Sequence, residues 1–217
     1  MFVDIFNTDK KYSIIYADPP WSYNDSGCNG AAEQHYVTMD TKDIKKFPVE
    51  QIAEKDCVLF MWATYPKMED ALELIKAWGF TYKSIGFQWV KLNRSGKGYF
   101  FGLGRWTRGN TEPCLIAVRG KPKRASAAVG QLIFHPIGRH SEKPPIVREK
   151  IIELMGGGVH VLSFSHDRPP RAGIAGGMKL QTKPTSRQRK TIRKSIQGVM
   201  SNKRFLIASR EAMQYDN

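Results

Sequence analysis

Asp18-Pro19-Pro20-Trp21 carries the densest chemistry in this sequence, because it closes a strand-like apolar run, Tyr12-Ser13-Ile14-Ile15-Tyr16-Ala17. Consecutive prolines cannot continue a hydrogen-bonded ladder, so the strand must stop there and leave Asp18 at its tip. A carboxylate beside a rigid, outward-facing carbonyl suits one task well. The exocyclic amine of a nucleobase is a poor nucleophile, its lone pair being delocalised into the ring. Asp18 and the Pro19 carbonyl could both accept hydrogen bonds from such an amine, orient it, and favour positive charge on nitrogen while a methyl group is transferred. Pro20 stiffens the turn, and Trp21 or Tyr23 offers a face on which a base could stack.

The surrounding elements read as alternating strands and helices. Short helical stretches are expected at 41–46 and 49–54. Cys57-Val58-Leu59-Phe60-Met61-Trp62-Ala63 is an unbroken apolar run, as expected of a strand buried on both faces of a parallel sheet. A helix opens at Pro66 and runs to Trp78, where Gly79 stops it. Strands are expected at 84–92, 113–118, 131–135 and 159–164, and a helix at 144–155. The Gly-, Arg- and aromatic-rich segment 96–111 is too long and polar for a tight connection and is a functional-loop candidate. This order predicts an α/β sheet with helices on both faces and ligands at the carboxyl ends of its strands.

Several further strings accompany the first one. They are Gly30-Ala31-Ala32-Glu33-Gln34-His35-Tyr36, Leu59-Phe60-Met61-Trp62-Ala63-Thr64, Ala77-Trp78-Gly79-Phe80, Trp89-Val90-Lys91, the run from Gly102 through Trp106, Arg108 and Asn110 to Glu112, and Arg139-His140-Ser141-Glu142-Lys143-Pro144. With Tyr16-Ala17-Asp18-Pro19-Pro20-Trp21, their order and spacing over roughly residues 10–157 resemble the mRNA adenosine-N6 methyltransferase-like family. Within it they are most similar to the compact phage and prophage adenine-N6 DNA methyltransferases. The resemblance implies a Rossmann-like, S-adenosylmethionine-dependent methyltransferase fold in permuted order, with the catalytic strand near the N-terminus. It implies catalytic roles for Asp18, Pro19, Pro20 and Trp21. Asp18 and Lys143 would meet the cofactor, and Tyr23, Trp106, Arg108, Asn110 and Glu112 the substrate. His35 and Tyr36 are weaker candidates. The acceptor would be DNA, with its adenine single-stranded or flipped out of the duplex. The alternatives are RNA adenosine or cytosine N4.

The chain has 217 residues, 34 Lys+Arg against 20 Asp+Glu and a net charge of +14. Its 41% hydrophobic content excludes a wholly disordered chain, and no apolar run approaches the ~20 residues that span a bilayer. Cys28, Cys57 and Cys114 lie far apart without metal-ligand spacing, which argues for a reducing compartment and against a zinc site. The Met1-Phe2-Val3-Asp4-Ile5 start has no signal-peptide pattern. A cytoplasmic protein of a bacterium or phage-infected host is the expectation.

Residues 1–157 carry a net +5 and residues 158–217 a net +9. Two regions follow: a methyltransferase domain over 1–165 and a basic tail over 166–217, disordered or out of frame. The resembled family closes its chain with a strand reading Glu-Leu-Phe-Ala-Arg, then Pro-Gly-Trp-Asp and Trp-Gly-Asn-Glu, which hold the cofactor's ribose and adenine. Here Val161-Leu162-Ser163-Phe164-Ser165-His166 and Gly173-Ile174-Ala175-Gly176-Gly177-Met178-Lys179-Leu180 stand instead.

Back-translation connects the two versions. The first stretch can be written GTG TTG AGC TTT TCG CAC. Regrouping those bases one position earlier, with GA from Asp167, gives GTT GAG CTT TTC GCA CGA, or Val-Glu-Leu-Phe-Ala-Arg. The second, regrouped with the same offset, can read Gly-Trp-Asp-Cys-Trp-Gly-Asn-Glu-Val. A single-base frameshift near 156–159 is the expectation, leaving Leu162 where the family has Glu and His166 near its Arg. The competing function is then a catalytically impaired nucleic-acid-binding remnant of such an enzyme.

Overall fold

A computed structural model describes residues 2–5, 8–23, 38–102, 104, 106–139, 142–156, 161–164 and 206–209. The elements are β1 (Phe2–Asp4), β2 (Tyr12–Ala17), α1 (Thr41–Ile44), α2 (Val49–Ile52), β3 (Ala53–Trp62), a 3₁₀ turn (Tyr65–Lys67), α3 (Met68–Ala77) and β4 (Thr81–Leu92). Then follow β5 (Thr111–Arg119), β6 (Leu132–Pro136), α4 (Ile146–Met155), β7 (Val161–Phe164) and β8 (Leu206–Ser209). The eight described strands form one sheet in the order β1-β8-β7-β2-β3-β5-β4-β6.

The sheet is mixed, which corrects the expectation of a parallel one. β2 runs parallel to β3 and β7, whereas β5 is antiparallel to both β3 and β4. The reason lies in the connection: among the described residues between β4 and β5 there is no crossover helix, and a chain that turns back without one pairs antiparallel. One consequence matters for chemistry. The carboxyl ends of β2, β3, β4 and β6 and the amino end of β5 gather along one edge.

Alternation explains the two cores. Ile15 and Ala17 of β2 and Leu59 and Met61 of β3 pack with Ile44, Val49, Ile52, Leu74, Ile75 and Trp78 from α1, α2 and α3. Ile14 and Tyr16, with Val58, Phe60 and Trp62, face the other way, against Phe87, Trp89 and the α4 residues Val147 and Ile151. Helices therefore cover both faces, as expected, and the 57–63 run is apolar because both of its faces are buried. Helix α3 ends where Gly79 takes φ +79°, its N–H donating to the Lys76 carbonyl and that of Phe80 to the Ile75 carbonyl.

The expected strand at 12–17 coincides with β2; 84–92 and 113–118 are extended to 81–92 and 111–119, 57–63 becomes 53–62, 131–135 shifts to 132–136, and 159–164 shortens to 161–164. The expected 66–78 helix is split into the 3₁₀ turn holding Pro66 and the regular α3. The 30–36 string with His35 and Tyr36, Arg105, and the tail other than 206–209 lie outside the described residues. Among the described residues no helix is long and apolar enough to cross a membrane.

Candidate active site

Strand β2 delivers Asp18 to the gathering edge and the two prolines hold it there. The turn is pinned by backbone bonds: Trp21 N–H donates to the Pro19 carbonyl at 2.9 Å, Met39 N–H to the Pro20 carbonyl at 2.7 Å, and Ser22 N–H to the Met39 carbonyl at 3.2 Å. The Pro19 carbonyl thus uses one of its two lone pairs internally and keeps one for an incoming amine. Asp18 is 9% exposed, at the boundary between core and solvent.

Three further charged side chains converge on it. Lys143, in the segment before α4, places Nζ 2.9 Å from Asp18 Oδ2 and 3.3 Å from Glu112 Oε1. Lys91, next to last in β4, places Nζ 2.7 Å from Glu112 Oε2. Glu112, the second residue of β5, is only 7% exposed. The result is an alternating row, Asp18⁻, Lys143⁺, Glu112⁻, Lys91⁺, with no net charge. Neutrality is what makes it tolerable, since unpaired buried charge is costly.

Aromatic rings flank the cations. Lys143 Nζ lies 5.8 Å from the Trp62 ring centroid and Lys91 Nζ 5.0 Å from that of Trp89, within cation–π range. Trp62 and Trp89 meet edge to face at 6.3 Å, and Trp62 Nε1–H donates to the Tyr16 hydroxyl at 2.6 Å.

The row leaves its mark on neighbouring acids and bases. Burial alone would pull the Lys143 ammonium down, but the Asp18 and Glu112 carboxylates outweigh it and hold the group above the ordinary lysine value. Burial pushes the Cys114 thiol well up, and the negative charge of Asp18 adds to that. Tyr16 is raised by burial first and by Cys114 and Asp18 after it, against the opposing hydrogen bond from Trp62. Both stay protonated and neutral beside the site.

Asp18, Pro19, Glu112 and Lys143, four of the residues expected from sequence, therefore meet. The others do not join them. Trp21 is 4% exposed and packed in the core, donating Nε1–H to the Trp62 carbonyl at 3.3 Å, so it braces the turn and offers no open face. Tyr23 is half-buried, with its hydroxyl 2.6 Å from Thr64 Oγ1 and Lys67 Nζ 5.9 Å from its ring centroid. Trp106 and Arg108 point into solvent, and the Asn110 carbonyl accepts the Lys91 N–H at 2.8 Å. Arg108, Asn110 and Glu112 do not share a strand face, because β5 starts only at Thr111.

Lys91 and Trp62 were assigned no role from sequence. Trp89 and Lys91, two apart on a strand, do share a face. Nothing local to Lys91 announces a partner in Glu112, which only sheet pairing supplies.

The chemistry of this donor set fits one end of S-adenosylmethionine, whose methionine moiety carries an ammonium and a carboxylate. Asp18 can receive the first and Lys143 the second. Among the described residues no group of three His, Cys, Asp or Glu could hold a metal ion.

The α/β sheet, with an Asp-Pro-Pro-Trp turn at a strand tip backed by a lysine between two carboxylates, accords with the class that the family match shows, an S-adenosylmethionine-dependent methyltransferase. Residues 12–164 match the MT-A70 family, and the chain belongs to it. Members of that family methylate N6 of adenine in DNA or RNA. Over 165 residues the chain is 34% identical to the Type II methyltransferase M.MunI of Mycoplasma sp, covering 67% of this chain and 68% of that protein. It is 28% identical over 154 residues to the N(6)-adenosine-methyltransferase subunit METTL3 of Danio rerio, and 26% identical over 155 residues to the N(6)-adenosine-methyltransferase catalytic subunit METTL3 of Homo sapiens. The chain spans 24% of the length of each of these two METTL3 relatives.

Proposed function

We propose that this chain descends from, and in its correct reading frame is, a DNA adenine-N6 methyltransferase. The observation that carries the reading is Asp18, at the tip of β2 and bound by Lys143 at 2.9 Å. A carboxylate has about four acceptor positions. Asp18 can therefore hold Lys143 and still accept from an adenine amine, with the Pro19 carbonyl as second acceptor. Two acceptors fix both amine hydrogens and turn the nitrogen toward the donor. Lys143 keeps Asp18 ionised and aimed, Glu112 keeps Lys143 in place, and the Trp62 and Trp89 rings keep water from the row. S-adenosylmethionine supplies an activated methyl group, with Asp18 and Lys143 as its partners in this chain. Tyr23 is the remaining candidate for stacking on the base. DNA is favoured as acceptor by the similarity to the Type II methyltransferase M.MunI, matched over 68% of its own length. A base inside a duplex is out of reach of Asp18, so the adenine is flipped out or single-stranded.

We also propose the permuted strand order, with β2 as catalytic strand, and a division into a methyltransferase domain over 1–165 and a basic tail over 166–217, disordered or out of frame. The support for a break in this region is that the family match stops at residue 164, inside the first shifted-frame stretch, Val161–His166. That same observation favours a second reading, a remnant that retains the Asp18 site but binds S-adenosylmethionine poorly. Calorimetry separates them: micromolar binding by the chain as it stands supports the enzyme, and no binding supports the remnant. The function itself is tested by incubating DNA and S-adenosylmethionine with the chain whose frame is restored after residue 156, digesting to nucleosides and identifying the product. N6-methyldeoxyadenosine is expected. A product methylated on cytosine N4 would refute the assignment.

A further inference from the structure

The segment joining β4 to β5 is built in a way that the Asp18 site does not account for. Its backbone is closed on itself: Asn93 N–H donates to the Gly98 carbonyl at 3.1 Å, Phe100 N–H to the Lys91 carbonyl at 2.9 Å, and Gly102 N–H to the Gly109 carbonyl at 3.0 Å. On this frame three large aromatic side chains stand in water. Tyr99 is 54% exposed, Phe101 72% and Trp106 98%. Tyr99 is bridged antiparallel to Leu92, and between the two exposed rings Phe100 is half-buried. Leaving these rings exposed forgoes roughly 25 cal/mol for every Å² that burial would remove from water. Stability alone gives no reason for it.

The charge pattern points to what would cover them. Between Asn93 and Thr111 the sequence has Arg94, Lys97, Arg105 and Arg108 and no Asp or Glu. Of these, Arg94, Lys97 and Arg108 are exposed. Cations interleaved with exposed rings match a strand whose bases are unpaired, because phosphates meet the cations and bare base faces meet the rings. A duplex presents the phosphates but keeps its base faces stacked inside. The segment also ends at the row of charges: Lys91 precedes it, Glu112 follows it, and the two are 2.7 Å apart.

We propose that the described residues between β4 and β5 form a stacking platform for single-stranded DNA flanking the target base, with Tyr99, Phe101 and Trp106 as stacking faces and Arg94, Lys97 and Arg108 as phosphate partners. The proposal deepens the DNA methyltransferase reading and rests on it for the choice of DNA, but its test needs neither adenine nor cofactor.

The test is fluorescence anisotropy with labelled oligothymidylate of about 12 nucleotides, a length within the usual single-strand site size, and with a duplex of equal length. Stacking on aromatic rings is worth about 1–3 kcal/mol per base. Phe101→Ala and Trp106→Ala should therefore each weaken single-strand binding roughly five- to a hundredfold, equally at low and high salt. Binding to the duplex should change less than about twofold. Arg94→Gln and Lys97→Gln should instead each flatten the slope of log K against log salt by about 0.7. The basic 158–217 segment is common to the parent and the variants, so a salt-independent loss on substitution belongs to the platform. Single-strand binding by Phe101→Ala/Trp106→Ala equal to that of the parent would overturn the proposal, and so would an equal loss on single strand and duplex. Either result would leave the assignment of Asp18 untouched, because oligothymidylate contains no adenine.

Discussion

Replacing Lys143 with methionine removes the cation that touches both Asp18 and Glu112 while nearly preserving side-chain volume. At an effective dielectric near 20, Coulomb attraction is roughly 6 kcal/mol for the 2.9 Å contact with Asp18 and roughly 5 kcal/mol for the 3.3 Å contact with Glu112. Desolvation of the three groups and repulsion between the carboxylates offset most of that. Stripping one partner from a buried pair costs about 3–5 kcal/mol net. For a chain of this size the melting temperature should fall by about 2–4 °C per kcal/mol, hence by roughly 6–20 °C. Thermal and urea unfolding followed by circular dichroism at neutral pH measures this directly. The paired variant Asp18→Asn/Lys143→Met supplies the control, because it leaves no lone carboxylate at position 18 and Glu112 keeps Lys91. Its destabilisation should fall short of the sum of the single variants by at least about 1 kcal/mol. A Lys143→Met protein within about 1 kcal/mol of the parent, or simple additivity in the pair, would refute the charge row as a coupled unit.

Other outcomes follow from the same geometry. Lys91→Met deprives Glu112 of its 2.7 Å partner and should cost about 1.5–3 kcal/mol in urea unfolding, with Lys91→Arg recovering most of it; equal losses in both variants would count against the ion pair as the cause. Alkali should destabilise the fold. Burial pushes the Cys57 thiol up to about 12 from 9.0 and also raises Cys114 and Tyr16, so the unfolded chain releases protons that the folded chain keeps. Stability is then fully present below the unfolded thiol value and is lost as pH climbs beyond it, by up to about 1.4 kcal/mol per pH unit per group. Lys143, raised above its ordinary value, acts with the same sign at higher pH. A flat unfolding free energy between pH 8 and about 11 would contradict this.

Local signals in the chain were readable and non-local ones were not. β2 could be bounded to the residue because its apolar run meets two prolines, and the end of α3 to within one residue because its apolar spacing stops at Gly79. Asp18 stood out for the same local reason. Lys143, by contrast, was placed only through the family resemblance, since it lies 125 positions from Asp18. Lys91 was passed over because its partner Glu112 lies across a strand pairing that spacing does not reveal. Trp21 was misjudged as a stacking face because a tryptophan beside a turn looks the same in sequence whether its ring faces solvent or, as here, the core. The antiparallel β5 was hidden for a related reason: a strand buried on both faces reads alike in either direction. The motifs that the resembled family uses for the nucleoside half of the cofactor are legible only one base out of register, from Val161 onward.

The most direct test of the account is methyl transfer by the Asp18→Ala variant. DNA and S-adenosylmethionine carrying a labelled methyl group are given to the chain with its frame restored after residue 156, with and without that substitution. The account predicts label on adenine N6 from the parent and none from Asp18→Ala, with the melting curve of the variant still cooperative. Turnover retained by a folded Asp18→Ala protein would contradict it.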